Sequence, residues 1–140
     1  MFNKSLTIVS LNEIGIGTMV QHLEIEFIEI GENFLKAKMP VINKTRQPQG
    51  LLHGGASVAL AETLGSVAAY GCIDTTKKFC VGLEINANHI KGVKEGFVTG
   101  IASPIHLGKK THVWEIKIRN EKEELICISR ITMAILDLKN

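Results

Sequence analysis

The spacing of hydrophobic and polar positions changes several times along the chain, and each change marks an element. Leu23, Ile25 and Phe27 alternate with Glu24, Glu26 and Glu29, the period-two pattern of a half-buried strand. Gly31-Glu32-Asn33 reads as a turn. Leu35, Ala37 and Met39 then alternate with Lys36 and Lys38, predicting a second strand closed by Pro40. Residues 41–52 are polar and hold Pro48 and Gly50, a loop. Ala56 to Tyr70 is rich in Ala and Leu and free of Pro, which predicts a helix of about 15 residues, roughly 23 Å long. Four strand-like runs follow: Phe79–His89, Phe97–Leu107, Thr111–Asn120 and Leu125–Asp137. Gly92, Gly96, Gly108 and the cluster Asn120–Glu124 separate them. Near the start, Ser10-Leu11-Asn12-Glu13 has the form of a capping box, so a short helix is expected from there. The expected order is β-β-α-β-β-β-β, one long helix followed by a meander.

A helix apolar on nearly every side must be surrounded. An antiparallel sheet with strands of about 10 residues is long enough to curl around it, an α+β arrangement in a single domain over residues 1–140. The runs Leu125-Ile126-Cys127-Ile128 and Ile131–Leu136 look covered on both faces, which points to an oligomer. The stretch Leu51 to Ile73 is long enough to span a membrane. It carries His53, Glu62 and several Gly, Ser and Thr, however, and a carboxylate facing lipid at mid-span is costly. A helix in a soluble protein is the better reading, with no membrane partner.

Composition then narrows the function classes. Apolar residues make up 45% and charged residues 21%, with a formal charge of +2, and no basic stripe interleaved with aromatics occurs. No nucleic-acid partner is therefore expected. Cys72, Cys80 and Cys127 are odd in number and form no C-x-x-C pair, so buried free thiols are expected, not a disulfide framework or a zinc knuckle. The first residues lack the apolar core and cleavage site of a signal peptide, a cytoplasmic profile. No H-E-x-x-H or similar cluster is present, so no metal site is expected.

Glu62 is the only charged residue between Gly54 and Ile73. A Glu is rarely buried without a partner. An exposed helical stripe would usually carry several charges, so two readings stand: a lone exposed residue, or a buried carboxylate beside Ser66 (i+4) serving as base or nucleophile. His53-Gly54-Gly55 opens the helix. Its first-turn N–H groups lack helical partners and, with the helix dipole, can hold a carbonyl oxygen gaining negative charge. It can equally be a glycine-rich turn with no task. Gln47 is a possible hydrogen-bond donor or a plain loop residue. Seven residues separate Gly55 from Glu62, roughly 10 Å along the axis. A Glu side chain struggles to reach a carbonyl held at its own helix start, whereas two helices side by side in a dimer would bring the two together. His22 and His112 lie in strand patterns and are expected at the surface or with satisfied nitrogens. Trp114 is expected in the core or an interface.

Gln47-Pro48-Gln49-Gly50-Leu51-Leu52-His53-Gly54-Gly55, Ala61-Glu62 and Gly65-Ser66-Val67-Ala68 resemble the core motif of hotdog thioesterases of the 4-hydroxybenzoyl-CoA/phenylacetate type. The likeness extends through Gly82–His89 and His106-Leu107-Gly108 over nearly the whole chain. It is greatest toward the bacterial dihydroxynaphthoyl-CoA hydrolase and enterobactin-proofreading subgroup. The resemblance implies a hotdog fold, hydrolysis of aromatic acyl-CoAs with broad specificity, and Glu62 as nucleophile or general base. It implies that the Gly55 N–H stabilises the oxyanion, that Gln47 and His53 of the opposing subunit position the carbonyl, and that Ser66 orients water. It further implies substrate and coenzyme A contacts at Gly82, at His89, Ile90, Lys91 and Gly92, and at His106, Leu107, Gly108, Lys109, Lys110 and Thr111. Lys91, Lys109 and Lys110 suit phosphates. No cofactor is implied, coenzyme A being part of the substrate. A homodimer at minimum, and a homotetramer, follow from the same likeness. Two competing functions are a hydroxyacyl thioester hydratase or dehydratase, in which a Pro-rich His loop would replace His53-Gly54-Gly55, and an acyl-CoA-binding module, which needs no Glu62.

Overall fold

In the computed structural model, residues 1–138 are described. Two short helices, α1 (Ile8–Ile14) and α2 (Met19–His22), precede the strands β1 (Glu26–Ile30) and β2 (Leu35–Pro40). The long helix α3 (Gly54–Tyr70) follows, and then β3 (Lys78–His89), β4 (Phe97–Leu107), β5 (Thr111–Asn120) and β6 (Leu125–Asp137). All six strands form one antiparallel sheet in the order β1-β2-β4-β5-β6-β3. This is the hotdog fold: one long helix lying in a curved sheet. No helix among the described residues is long and apolar enough to cross a membrane.

The strand boundaries agree with the period-two pattern to within a residue for β2 to β6, and four expectations are corrected. The first helix begins at Ile8, because Thr7 is the cap: its hydroxyl accepts the Ser10 N–H at 3.1 Å while Ser10 Oγ accepts the Thr7 N–H. The capping box is therefore Thr7–Ser10, not Ser10–Glu13. Helix α2 is an addition, and its last residue is His22, which is exposed and not on a strand. The first strand starts at Glu26, not Leu23, because Leu23 closes α2 and Glu24 takes a left-handed φ of 56°. Leu23, Ile25 and Phe27 are nevertheless all buried. Finally, β3 to β6 are not a simple meander. Helix α3 carries the chain across the sheet and delivers β3 to the far edge beside β6, and β4 returns to pair with β2.

Helix α3 packs on β2 through β6 with one face. Leu60, Ala61, Leu64, Gly65, Ala68 and Ala69 are buried, and small residues allow the close approach. A Cβ on Gly65 would stand 2.3 Å from the Ile131 side chain, and one on Gly100 of β4 would stand 2.5 Å from Leu64. Burying Leu60 and Leu64 stabilises the fold by about 1.5–3 kcal/mol each. The opposite face, Val58, Ala59, Glu62, Thr63, Ser66 and Val67, is only half-buried. The single chain therefore does not surround its helix. In one chain β6 is covered on both faces only at Ile126 and Cys127: further along, Ile131, Met133 and Ile135 are buried, while Arg130 and Leu136 on the other face are exposed. Strand β3 is an edge of 12 residues with Phe79, Val81 and Leu83 exposed.

Loop 41–53 sets the entry to α3. Buried Thr45 donates its hydroxyl to the Pro40 carbonyl at 2.8 Å and accepts the Ile42 N–H, and its own carbonyl accepts the His53 N–H at 2.8 Å. The N–H groups of Val41 and Leu52 bond to the carbonyls of Gly96 and Val93. The start of the helix is thus pinned to the segment that links β3 and β4.

Candidate active site

Glu62 sits midway along the half-buried face of α3, so the sequence reading of a fully buried carboxylate is corrected. Its carboxylate rests over the backbone of Gly82 in β3, where a Cβ would lie 2.7 Å from Oε1. That approach needs glycine, and the β3–β6 register shifts between Gly82 and Glu84 at the same place. The ion pairs among the described residues do not involve Glu62. Its carboxylate is the only charged group on a cavity of about 310 Å³ whose other side chains are those of Met19, Val20, Leu23, Ile25, Val58, Ala59 and Thr63, with Gly55 at one end.

The helix start is organised by its own cap. Nδ1 of His53 accepts the Gly55 N–H at 2.8 Å, which leaves the proton of a neutral ring on Nε2. The Gly55 N–H expected to meet a substrate oxygen is therefore engaged in the isolated chain, and a carbonyl must share or displace that bond. Gln47 belongs to a tight turn. Its carbonyl accepts the Gly50 N–H at 2.9 Å, with Gly50 at φ +84°, and its side-chain Oε1 accepts the Gln49 N–H. The amide NH₂ is the end left to donate outward.

Gln47 and Gly54 line a second cavity, of about 300 Å³, with His89, Ile90, Lys91 and Gly92 from the end of β3 and the residues after it. The His89 ring lies on Gly54, where a Cβ would be 2.8 Å from Nε2, and Leu51 covers Gly92 in the same manner. The expected contacts His89 to Gly92 thus do converge with Gln47 on the helix start. Leu51, Leu52, Ser57 and Ile126 line the same cavity without having been singled out as site residues, and only the position of Leu51 and Leu52 inside the motif hinted at them.

Several expected site residues lie elsewhere. Ser66 donates to Met133 Sδ at 3.9 Å and does not line the Glu62 cavity. His106 to Thr111 run from the end of β4 through the turn to the start of β5, closed by the Gly108 N–H on the Thr111 carbonyl at 2.9 Å, and line neither cavity. His106, Leu107, Lys109 and Lys110 are exposed there, and Lys78 joins them by donating to the Lys109 carbonyl at 3.4 Å. Lys91 is paired with Glu124 at 2.5 Å, and this bond, followed by one from Asn120, holds the Glu124 carboxyl below its usual range.

His112 corrects an expectation. It is buried, its Nδ1 has no partner, and desolvation, followed by the nearby His106, lowers its pKa. Trp114 is fully buried and stacks with Phe2 at 6.3 Å, as expected of a core residue. Burial pushes the Cys72 thiol up to about 11 and raises those of Cys80 and Cys127, so none is a ready nucleophile. Among the described residues no cluster of His, Cys, Asp and Glu is suited to hold a metal.

The two cavities share no residue: Gly54 lines one, Gly55 the other, and Glu62 and Gln47 are divided between them. One chain thus presents a carboxylate over an apolar hollow that reaches the Gly55 backbone, and a second hollow with Gln47 and His89 around Gly54.

Comparisons agree with this architecture. The thioesterase superfamily model matches residues 49–127, which include α3 and β3 to β5. The chain is 52% identical over 136 residues to the 1,4-dihydroxy-2-naphthoyl-CoA hydrolase of Escherichia coli, covering 97% of this chain and 99% of that one. It is 45% identical over 137 residues to a proofreading thioesterase of Cronobacter turicensis, with 97% and 98% covered. The crystal structure of a thioesterase from Haemophilus influenzae superposes with a TM-score of 0.96 at 46% identity, covering 99% of this chain and 96% of that one. The chain belongs to the thioesterase superfamily and is a thioester hydrolase of the hotdog fold.

Proposed function

We propose that the substrate is an acyl-CoA, with aromatic acyl groups preferred, and that Glu62 carries the hydrolysis in a site completed by a second copy of the chain. The observation that carries this reading is the carboxylate of Glu62, the one charge on an otherwise apolar hollow. As general base, Glu62 takes a proton from water, the resulting hydroxide adds to the thioester carbonyl, and the proton passes to the departing thiolate. As nucleophile, its oxygen adds to the carbonyl carbon and the C–S bond breaks to release the coenzyme A thiolate. Water then hydrolyses the mixed anhydride, which frees Glu62 and the acid, and the proton lost by water goes to the thiolate. Either route builds negative charge on the carbonyl oxygen. The Gly55 N–H and the positive end of the 17-residue helix α3 are suited to hold that oxygen.

The seven-residue separation of Gly55 and Glu62 supports donors that come from the partner's helix start, with Gln47 and His53 orienting the carbonyl. The exposed 12-residue edge of β3 and the half-covered face of α3 supply surface for a dimer, and a tetramer of two dimers is the expected assembly. His89 to Gly92, which line the cavity at the helix start, and the Lys109-Lys110 turn, which lines neither cavity, are the expected coenzyme A contacts, the two lysines serving its phosphates. The hydrolase name of the Escherichia coli relative supports an aromatic acyl group. Val58 and Ala59 beside Glu62 leave width for a flat ring, whose enclosure adds binding that acetyl cannot.

The test is kcat and kcat/KM on benzoyl-, hydroxybenzoyl-, medium-chain and acetyl-CoA. Aromatic thioesters should be hydrolysed best, and Glu62→Gln should lower kcat by about 10² or more, roughly 2.7 kcal/mol, with the fold intact. Full turnover by a folded Glu62→Gln protein overturns the mechanism, and fastest turnover of acetyl-CoA overturns the substrate class.

A further inference from the structure

The cavity beside Glu62 has two walls of different origin. Gly55, Val58, Ala59, Glu62 and Thr63 come from α3, inside the stretch 49–127 that matches the family model. Met19, Val20, Leu23 and Ile25 come from α2 and the chain just after it, outside that stretch. The wall that carries Glu62 thus lies inside the stretch matched by the family model, and the wall facing it lies in the N-terminal segment outside that stretch.

That second wall has a fixed backbone and one free side chain. A four-residue helix cannot persist by itself. Thr18 holds α2 by accepting the Val20 N–H at 3.2 Å and donating to the Gly15 carbonyl at 2.7 Å. Gln21 Oε1 accepts the Gly17 N–H at 2.7 Å, and the Ile25 N–H bonds to the Val20 carbonyl at 3.0 Å. Gly17, at φ +76°, permits the turn into the helix. Leu23 and Ile25 are locked in the core, whereas Met19 stands 64% exposed at the lip of the cavity. Methionine is unbranched and adapts its shape to what it meets. A hollow of about 310 Å³ is at the small end for ligand sites, so one movable side chain at its lip decides how large a group is enclosed.

We propose that Met19 is a specificity-determining residue: its side chain packs on the distal part of large acyl groups, such as fused rings, and is not reached by small ones. This rests on the reading that the acyl group lies beside Glu62. The test compares the intact protein with Met19→Ala and Met19→Leu on naphthoyl-, benzoyl- and acetyl-CoA. Met19→Ala should lower kcat/KM for the naphthoyl thioester roughly 10-fold and leave acetyl-CoA within about twofold, since only the large group loses contact area. Met19→Leu, similar in volume, should restore most of the loss. Affinities for the matching non-hydrolysable coenzyme A thioethers, read by calorimetry, should follow the same ratios. Equal shifts on all three acyl groups, or none, overturn the proposal. Because the thioethers report on Met19 without turnover, a failure of Glu62 as the reacting group is seen separately, as an active Glu62→Gln protein.

Discussion

The two hollows flanking the start of α3 are nearly equal in size, about 310 and 300 Å³, and differ in the polar groups they present. The first is apolar apart from Glu62, Thr63 and the Gly55 backbone, and four of its nine lining residues are N-terminal chain. The second gathers Gln47, Ser57, His89 and Lys91 around Gly54 and is roofed by loop 41–53 and the segment after β3. A carboxylate that takes a proton from water, or adds to a carbonyl carbon, is more basic where few polar groups solvate it. A carbonyl oxygen gaining charge needs convergent donors. In one chain Gln47 and Glu62 fall to different hollows. That division sharpens the proposal that the two act together across a pair of helices, since seven residues of α3 separate Glu62 from its own Gly55.

Mixing inactive subunits breaks or upholds that division most directly. Glu62→Ala and Gln47→Ala proteins, each impaired alone, should on unfolding and refolding together recover about a quarter of wild-type turnover. Half of the dimers formed at random are mixed, and each then holds one intact site of two. Recovery no greater than the sum of the parents would show that each chain works alone. On the donor side, Gln47→Ala and His53→Ala should each reduce kcat/KM by roughly 10- to 10³-fold, less than the Glu62 change. Unchanged kinetics in either variant would remove that residue from the mechanism.

Gly82→Ala sharpens the contrast from the carboxylate side. The new methyl would stand 2.7 Å from Glu62 Oε1 and push the side chain aside. A fall in kcat of roughly 10- to 10²-fold is expected, with thermal stability nearly unchanged because Gly82 is exposed. A kcat equal to wild type would mean that the resting position of the carboxylate is not the working one.

The smallest effect belongs to neither hollow. His112 is buried with a pKa below the ordinary 6.5. Acid therefore protonates the unfolded chain first, and stability present above pH 6.5 is lost as pH falls through and below it. Tm should drop between pH 7.5 and 5.5, and His112→Phe should flatten that drop by a few degrees without altering substrate preference. An identical pH profile in the variant would remove His112 as the cause.

Much of this was legible along the chain because strand and helix periods are local. Alternation defined β2 to β6 almost to the residue, and the lone charge in the apolar run 54–73 marked Glu62 before any geometry. The capping box at Ser10 misled because Thr7, three residues earlier, offers the same hydroxyl and pairs with Ser10 itself. Helix α2 was invisible because four residues show no period.

Local pattern thus determined the elements, the one unusual carboxylate and the glycine-rich helix start, each being a matter of neighbours in sequence. Tertiary structure alone decided that β3 runs to the far edge beside β6, that Gly82 lies under Glu62, and that His89 settles on Gly54. It also decided that Met19 shares a cavity with Glu62, 43 residues further on, and that Gln47 and Glu62 part company. The reason is physical: a side chain's period reports which face it shares, but its partner across the sheet or the cavity depends on where a crossover helix sets the chain down. That is fixed by packing between segments far apart in sequence.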